Sequence, residues 1–123
     1  MGILRLHHAN LNIPPGKESE ARAFYCDVLG LDEIEKPDAL KPNGGFWLRL
    51  DNVDVHIGTQ DNLDRHSLKM HLAYQVDDLA AWREKIEASG ISTKDNDEIP
   101  DFDRFEIRDP FGNRIEFVTP RQA

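Results

Sequence analysis

The chain has 123 residues, the size of one ordinary domain, and its 39% apolar and 31% charged residues are typical of a soluble globular protein. Its net charge of −8 argues against nucleic acid as a partner, and no apolar run approaches the roughly 18 residues of a membrane span. A single cysteine, Cys26, excludes an internal disulfide and favours a reducing, cytoplasmic location.

The first half of the chain predicts a strand, a helix and three further strands. Alternating apolar residues, helical spacing and Pro or Gly stops place these elements at residues 4–13, 21–29, 31–36, 46–51 and 53–57. The helix is expected to end at Gly30, and the last two strands are expected to form a hairpin joined at Asp51-Asn52.

The second half repeats this order after a polar linker over residues 60–68. Strands are expected at 70–76, 91–94, 104–108 and 114–117, with a helix that begins after Asp77 or Asp78 and ends at Gly90. The halves are related by nearly constant offsets, 63 residues from His8 to His71 and 60 from His56 to Glu116. The sequence therefore predicts two βαβββ units, at about 1–60 and 68–120, within one α+β domain over residues 1–123.

Four polar side chains stand out because each lies on a strand face opposite an apolar one. They are His8, His56, His71 and Glu116. If the two sheets turn these faces toward each other and form a cup, the four groups meet inside it. Imidazole and carboxylate groups together suit one divalent metal ion, such as Zn, Fe, Ni, Co or Mn. The alternative is that each histidine is an ordinary hydrogen-bonded or exposed strand side chain.

Strand parity also places an aromatic residue and several arginines at the cup or its rim: Trp47, Arg49, Arg104, Arg108 and Arg114. Arginines gathered in an acidic chain can hold the carboxylate or phosphate of a small anionic substrate. The alternatives are that the arginines pair with nearby acidic side chains and that the tryptophan simply fills the cup.

Four stretches resemble the vicinal oxygen chelate superfamily, the group of glyoxalase I, extradiol dioxygenases and fosfomycin- and bleomycin-resistance proteins. They are HANLNIP, ARAFYCDVLGL, HLAYQVDDLAAWREKIEASGI and DPFGNRIEF. The resemblance covers nearly the whole chain and implies duplicated modules whose sheets curl into a cup around one metal. It implies that His8, His71 and Glu116 are ligands and that His56 occupies the fourth position, where glyoxalase I has glutamate or glutamine. It also implies a homodimer, with the cup built within one chain or across two.

The resemblance implies three functions. The first is a glyoxalase-like lyase or isomerase, in which the metal stabilises an oxyanion on a small oxygen-rich substrate and Glu116 or a metal-bound water is the base. Asn12 stands where glyoxalase I has an arginine for glutathione, so we expect another substrate, contacted by Asn12, Trp47, Arg49 and Arg108. The others are a drug- or metabolite-binding protein without turnover and an Fe(II) extradiol dioxygenase.

Overall fold

The computed structural model describes residues 1–121 and shows two compact units, Met1–Leu63 and a second that begins at Asp64. Each unit contains one four-stranded sheet and one main helical segment. The predicted α+β class with two βαβββ modules is therefore confirmed. The assignment of both units to a single domain stays a prediction. No helix within residues 1–121 is long and apolar enough to cross a membrane.

The first unit is a mixed sheet with its first and last strands side by side. Its strands are β1 (His8–Ile13), β2 (Asp32–Ile34), β3 (Phe46–Arg49) and β4 (Asp54–Thr59). The strand order is β1-β4-β3-β2; β1 runs parallel to β4, and the other neighbours are antiparallel. A helical segment follows β1, with α1 (Glu18–Arg22) continuing directly into a π-helix (Ala23–Val28), and a 3₁₀ helix (Asp38–Asn43) precedes β3.

The helical segment of this unit covers the apolar face of its sheet. Phe24 and Tyr25 from the segment are buried, as are Phe46, Leu48 and Ile57 from the strands. Contacts of Arg22 confirm which face the segment covers. Its guanidinium lies 4.6 Å from the centroid of the Phe46 ring, and its Nε donates to Glu33 Oε1 over 2.8 Å. The opposite face of the sheet carries mostly polar side chains, together with Trp47, as strand parity predicts.

The second unit repeats this topology. After a 3₁₀ turn (Arg65–Ser67), its elements are β5 (His71–Gln75), α2 (Leu79–Ala88), β6 (Lys94–Asp95), β7 (Phe102–Arg108) and β8 (Arg114–Pro120). The strand order is β5-β8-β7-β6, again with the first and last strands parallel.

Helix α2 packs on the apolar face of the second sheet. Trp82 stacks on Phe117 with the ring centroids 5.7 Å apart, and Ile86 is fully buried. The N-cap of the helix is Asp78, whose carboxylate accepts a hydrogen bond from the backbone N–H of Ala81 (3.0 Å). This is the N-cap that the sequence predicted, with Asp78 rather than Asp77 in the role.

Two predictions about the first unit were wrong. Residues 4–7 do not continue β1, and the side chains of Leu4 and Leu6 are 94% and 69% exposed. The physical reason is the pairing of β1, whose only partner in this unit, β4, begins at Asp54 opposite His8. The predicted helix over 21–29 begins earlier, at Glu18, and most of it is π-helical. It ends at Val28, just before the predicted stop at Gly30, where φ is +78°.

Candidate functional site

The backbone register places the two predicted ligand pairs at equivalent positions of their sheets. In the first unit, His8 lies opposite Asp54 of β4, and His56 is two residues further along that strand. In the second unit, His71 lies opposite Arg114 of β8, and Glu116 is two residues further along. Side chains two residues apart on a strand share a face, so each histidine and its partner project from the same side of their sheet.

The side chains of His71 and Glu116 converge. His71 Nε2 lies 3.2 Å from Glu116 Oε2, and the carboxylate is buried, with a residue exposure of 5%. The other ring nitrogen, Nδ1, lies 2.9 Å from the carbonyl oxygen of Lys69. Because a carbonyl can only accept, Nδ1 carries a hydrogen and donates it. Nε2 and Oε2 therefore face each other, and a proton or a cation shared by the two atoms would make this contact favourable.

A divalent first-row metal fits this pair. Nitrogen and oxygen ligands bind such metals at about 2.0–2.2 Å, so neighbouring ligand atoms on one ion lie about 3 Å apart. The 3.2 Å separation of Nε2 and Oε2 matches that spacing. The bond from Nδ1 to a backbone carbonyl is also the usual support of a metal-binding histidine, because it fixes the tautomer and the ring orientation. His71 and Glu116 are thus candidate ligands for a metal ion.

Glu116 belongs to a row of alternating charges on the same sheet face. Arg104 Nη1 donates to Glu116 Oε1 over 3.2 Å, and its Nη2 donates to the carbonyl oxygen of Asp97 over 2.9 Å. Directly opposite Glu116, on β7, lies Glu106, which is also buried. Arg114 Nε is 3.2 Å from Glu106 Oε2, as an ion pair without hydrogen-bond geometry. Each buried carboxylate on this face therefore has its own arginine.

The first unit arranges its pair differently. The rings of His8 and His56 stack with centroids 4.1 Å apart and planes 16° apart. Trp47 covers the other face of His56 at 3.9 Å, with the planes only 2° apart. His8 Nδ1 also lies 3.0 Å from Nδ1 of His7. Burial and the neighbouring His8 hold the pKa of His56 below its usual value, so its imidazole is neutral at pH 7.

The four predicted ligands therefore form two pairs, a stacked His8–His56 pair and a convergent His71–Glu116 pair. Within residues 1–121, the structure shows no cluster of three or more His, Cys, Asp or Glu side chains positioned to hold a metal ion. The binding of one metal by all four residues stays a prediction.

The predicted substrate contacts lie on the same polar faces. Asn12 donates through Nδ2 to Gln60 Oε1 (2.9 Å). Trp47 is engaged in the stack on His56, and Arg108 Nη1 donates to the carbonyl oxygen of Gly112 (3.1 Å). Arg49 lines an open pocket of about 370 Å³ in the first unit, together with Arg5, His7, Leu50, Asp51, Asn52, Val53 and Asp54. The roles of these residues toward a substrate stay predictions.

Three contacts of the candidate site were absent from the sequence prediction. The carbonyl oxygens of Lys69 and Asp97 support His71 and Arg104, and sequence patterns do not identify backbone acceptors. The third contact is made by His7, which lies just before β1 and whose ring nitrogen lies 3.0 Å from that of His8.

Comparisons with known proteins agree with this fold. The sequence profile of the Glyoxalase/Bleomycin resistance protein/Dioxygenase superfamily matches residues 5–117. A crystal structure named as a glyoxalase family protein from Bacillus anthracis is 37% identical, with 98% of each chain covered and a TM-score of 0.91. No curated protein sequence matches the chain.

Two more distant structures share the fold. An antibiotic-binding protein from a Streptomyces species is 19% identical, with a TM-score of 0.76 and coverage of 98% of this chain and 99% of that one. Lactoylglutathione lyase from Agrobacterium tumefaciens is 21% identical, with a TM-score of 0.73 and coverage of 94% and 92%. Because the family profile spans nearly the whole chain, this protein belongs to the Glyoxalase/Bleomycin resistance protein/Dioxygenase superfamily.

Proposed function

We propose that this protein is a metal-dependent, glyoxalase-like enzyme that acts on a small oxygen-rich substrate. The observation that carries the proposal is the convergence of His71 Nε2 and Glu116 Oε2 at 3.2 Å, with Nδ1 of the histidine already bonded to a backbone carbonyl. This pair offers two ligand atoms at a spacing that suits a divalent metal, with the supporting bond that is usual for a metal-binding histidine. His8 and His56 complete the proposed ligand set.

The metal, when bound, supplies positive charge that stabilises an oxyanion forming on the substrate. The side chains of this protein supply the remaining chemistry. Glu116 is the proposed base; its Oε1 already accepts a hydrogen bond from Arg104, and its Oε2 faces His71 Nε2. Burial of the carboxylate keeps bulk water away from that oxygen.

The proposed substrate carries an anionic group that Arg49 binds. Arg49 lines the open pocket of the first unit, beside Asp54, the strand neighbour of His8. An arginine there can form two parallel hydrogen bonds with a carboxylate or phosphate. Arg49→Ala is expected to raise KM for an anionic substrate far more than it lowers kcat.

Metal analysis tests the proposal directly. Protein purified without chelator, and protein reconstituted with Zn, Ni, Co, Mn or Fe(II), should bind one metal per site, and His71→Ala should abolish stoichiometric binding. His66→Ala is the matched control, because it removes an imidazole of the same unit that is exposed and lies on the 3₁₀ turn. Absence of metal under all these conditions would rule out the proposed enzyme.

Turnover separates the proposed enzyme from the two alternatives. A glyoxalase-like activity should be lost with EDTA and restored by metal. Tight binding of a small molecule that survives EDTA, without turnover, would instead indicate a binding protein. Oxygen uptake with catechols after anaerobic Fe(II) reconstitution would indicate a dioxygenase.

A further inference from the structure

Glu116 has a like-charged neighbour that bears on how its carboxylate is oriented. Glu106 lies directly opposite it in the β7–β8 pair, and both side chains are buried. Like charges directly opposite each other on a sheet face repel, and a buried carboxylate without a partner is costly. Glu116 therefore needs a positively charged partner on this face. That partner also decides which carboxylate oxygen is turned toward His71.

Arg104 has the geometry to do so. Its guanidinium is anchored on one side by Nη2 and Nε, which reach the carbonyl oxygen of Asp97 at 2.9 and 3.3 Å. On the other side, Nη1 donates to Glu116 Oε1 at 3.2 Å. A planar guanidinium held at both edges cannot rotate freely, so it fixes the oxygen that it contacts. The second oxygen, Oε2, is then the one that faces His71 Nε2.

We propose that Arg104 is a positioning residue for the metal site, which holds Glu116 so that Oε2 and His71 Nε2 stay convergent. This inference rests on the proposed function, because it assumes that this pair binds a metal. The positive charge of Arg104 by itself disfavours a nearby cation. Any gain in metal affinity from Arg104 must therefore come from its orientation of Glu116. A comparison of variants with equal charge can isolate this effect.

Arg114 offers the matched comparison. It is a neighbouring arginine on the same sheet face, and it pairs with the other buried carboxylate, Glu106. Arg104→Gln and Arg114→Gln each remove one positive charge, and each leaves one buried glutamate without its arginine. Only the first removes a contact to Glu116. Arg104→Lys is a third variant, which keeps the charge and so protects folding but lacks the planar fork.

The experiment measures the dissociation constant of Co(II) and its visible absorption spectrum for the wild type, these three variants and His71→Ala. Circular dichroism first checks that each variant is folded. Relative to the wild type, Arg104→Gln is expected to bind about 10- to 100-fold more weakly, the usual effect of losing a supporting contact around a metal ligand. Its Co(II) spectrum should shift, Arg104→Lys should be intermediate in affinity, and Arg114→Gln should bind at least as tightly as the wild type.

The outcomes distinguish the two proposals. Wild-type protein that binds no Co(II), or that binds it as tightly after His71→Ala, overturns the metal site and the role of Arg104 with it. If His71→Ala abolishes binding and both Arg104 variants retain wild-type affinity and spectrum, the role of Arg104 alone is overturned. Equal weakening by Arg104→Gln and Arg114→Gln also overturns it, because the effect would then be general to the sheet face.

Discussion

Tyr74→Phe should stabilise the protein, because this substitution removes a buried polar atom that has no partner. Tyr74 lies on the apolar face of β5, with its ring 6.1 Å from that of Phe117. The residue as a whole is only partly buried, but its hydroxyl oxygen exposes less than 1 Å² and makes no hydrogen bond within residues 1–121. The substitution keeps the ring contacts and deletes only that oxygen.

The size of the effect follows from the cost of desolvating an unsatisfied hydroxyl, about 1–3 kcal/mol. Phenylalanine pays no such cost, and the ring keeps its neighbours. Taking the lower end of that range, we expect the free energy of unfolding at neutral pH to rise by about 1 kcal/mol. For a chain of this length, the melting temperature should rise by about 4 °C.

The same hydroxyl gives the prediction a pH dependence. Burial, with the charge of Asp109 second, raises the pKa of Tyr74 well above its usual value in the folded protein. Above about pH 10, the unfolded chain releases the phenolic proton while the folded chain keeps it, so stability falls as pH rises. The advantage of Tyr74→Phe should therefore grow by about 1.4 kcal/mol between pH 8 and pH 11.

Urea unfolding of both proteins at pH 8, 10 and 11, followed by circular dichroism, measures this effect. Equal m-values would show that the substitution changes stability rather than the extent of unfolding. A less stable Tyr74→Phe protein at pH 8 would refute the reasoning, because it would mean that the hydroxyl has a favourable partner. If the difference in unfolding free energy between Tyr74→Phe and the wild type did not change with pH, the assigned burial of the phenol would be refuted.

Three further predictions concern the fold. Gly45→Ala should lower the free energy of unfolding by at least about 3 kcal/mol, because φ is +79° there and a Cβ would overlap the carbonyl oxygen of Ile57. Gly30→Ala is the control: φ is +78° but the space around it is open, so the loss should be only about 1 kcal/mol. Asp78→Ala should cost about 1 kcal/mol by thermal unfolding through loss of the α2 N-cap, and an unchanged melting temperature would contradict it. Burial raises the pKa of the Cys26 thiol, so alkylation at pH 8 should be slower than for free cysteine and should equalise in urea.

The sequence predicted strand faces better than strand ends. Parity alone correctly placed His8 and His56 on the polar side of their sheet and Val55 and Ile57 on the buried side, because side chains alternate along any strand. The start of β1 depends instead on where a distant segment, Asp54, begins to pair, and apolar alternation over residues 4–6 carries no information about that partner. The π-helical segment was unpredictable for a related reason, since its apolar spacing fits an α-helix equally well.

The contrast between the two ligand pairs shows what backbone pattern leaves undecided. His56 and Glu116 occupy equivalent positions, and each faces one residue of the neighbouring antiparallel strand: Trp47 in the first unit and Glu106 in the second. The indole of Trp47 stacks on His56 and holds its ring parallel to that of His8. The carboxylate of Glu106 instead repels that of Glu116, whose oxygens contact Arg104 and His71. Two differences between the repeats, His56 against Glu116 and Trp47 against Glu106, therefore separate the stacked pair from the convergent one. They explain why His71 and Glu116, rather than His8 and His56, are the main candidates for metal ligands.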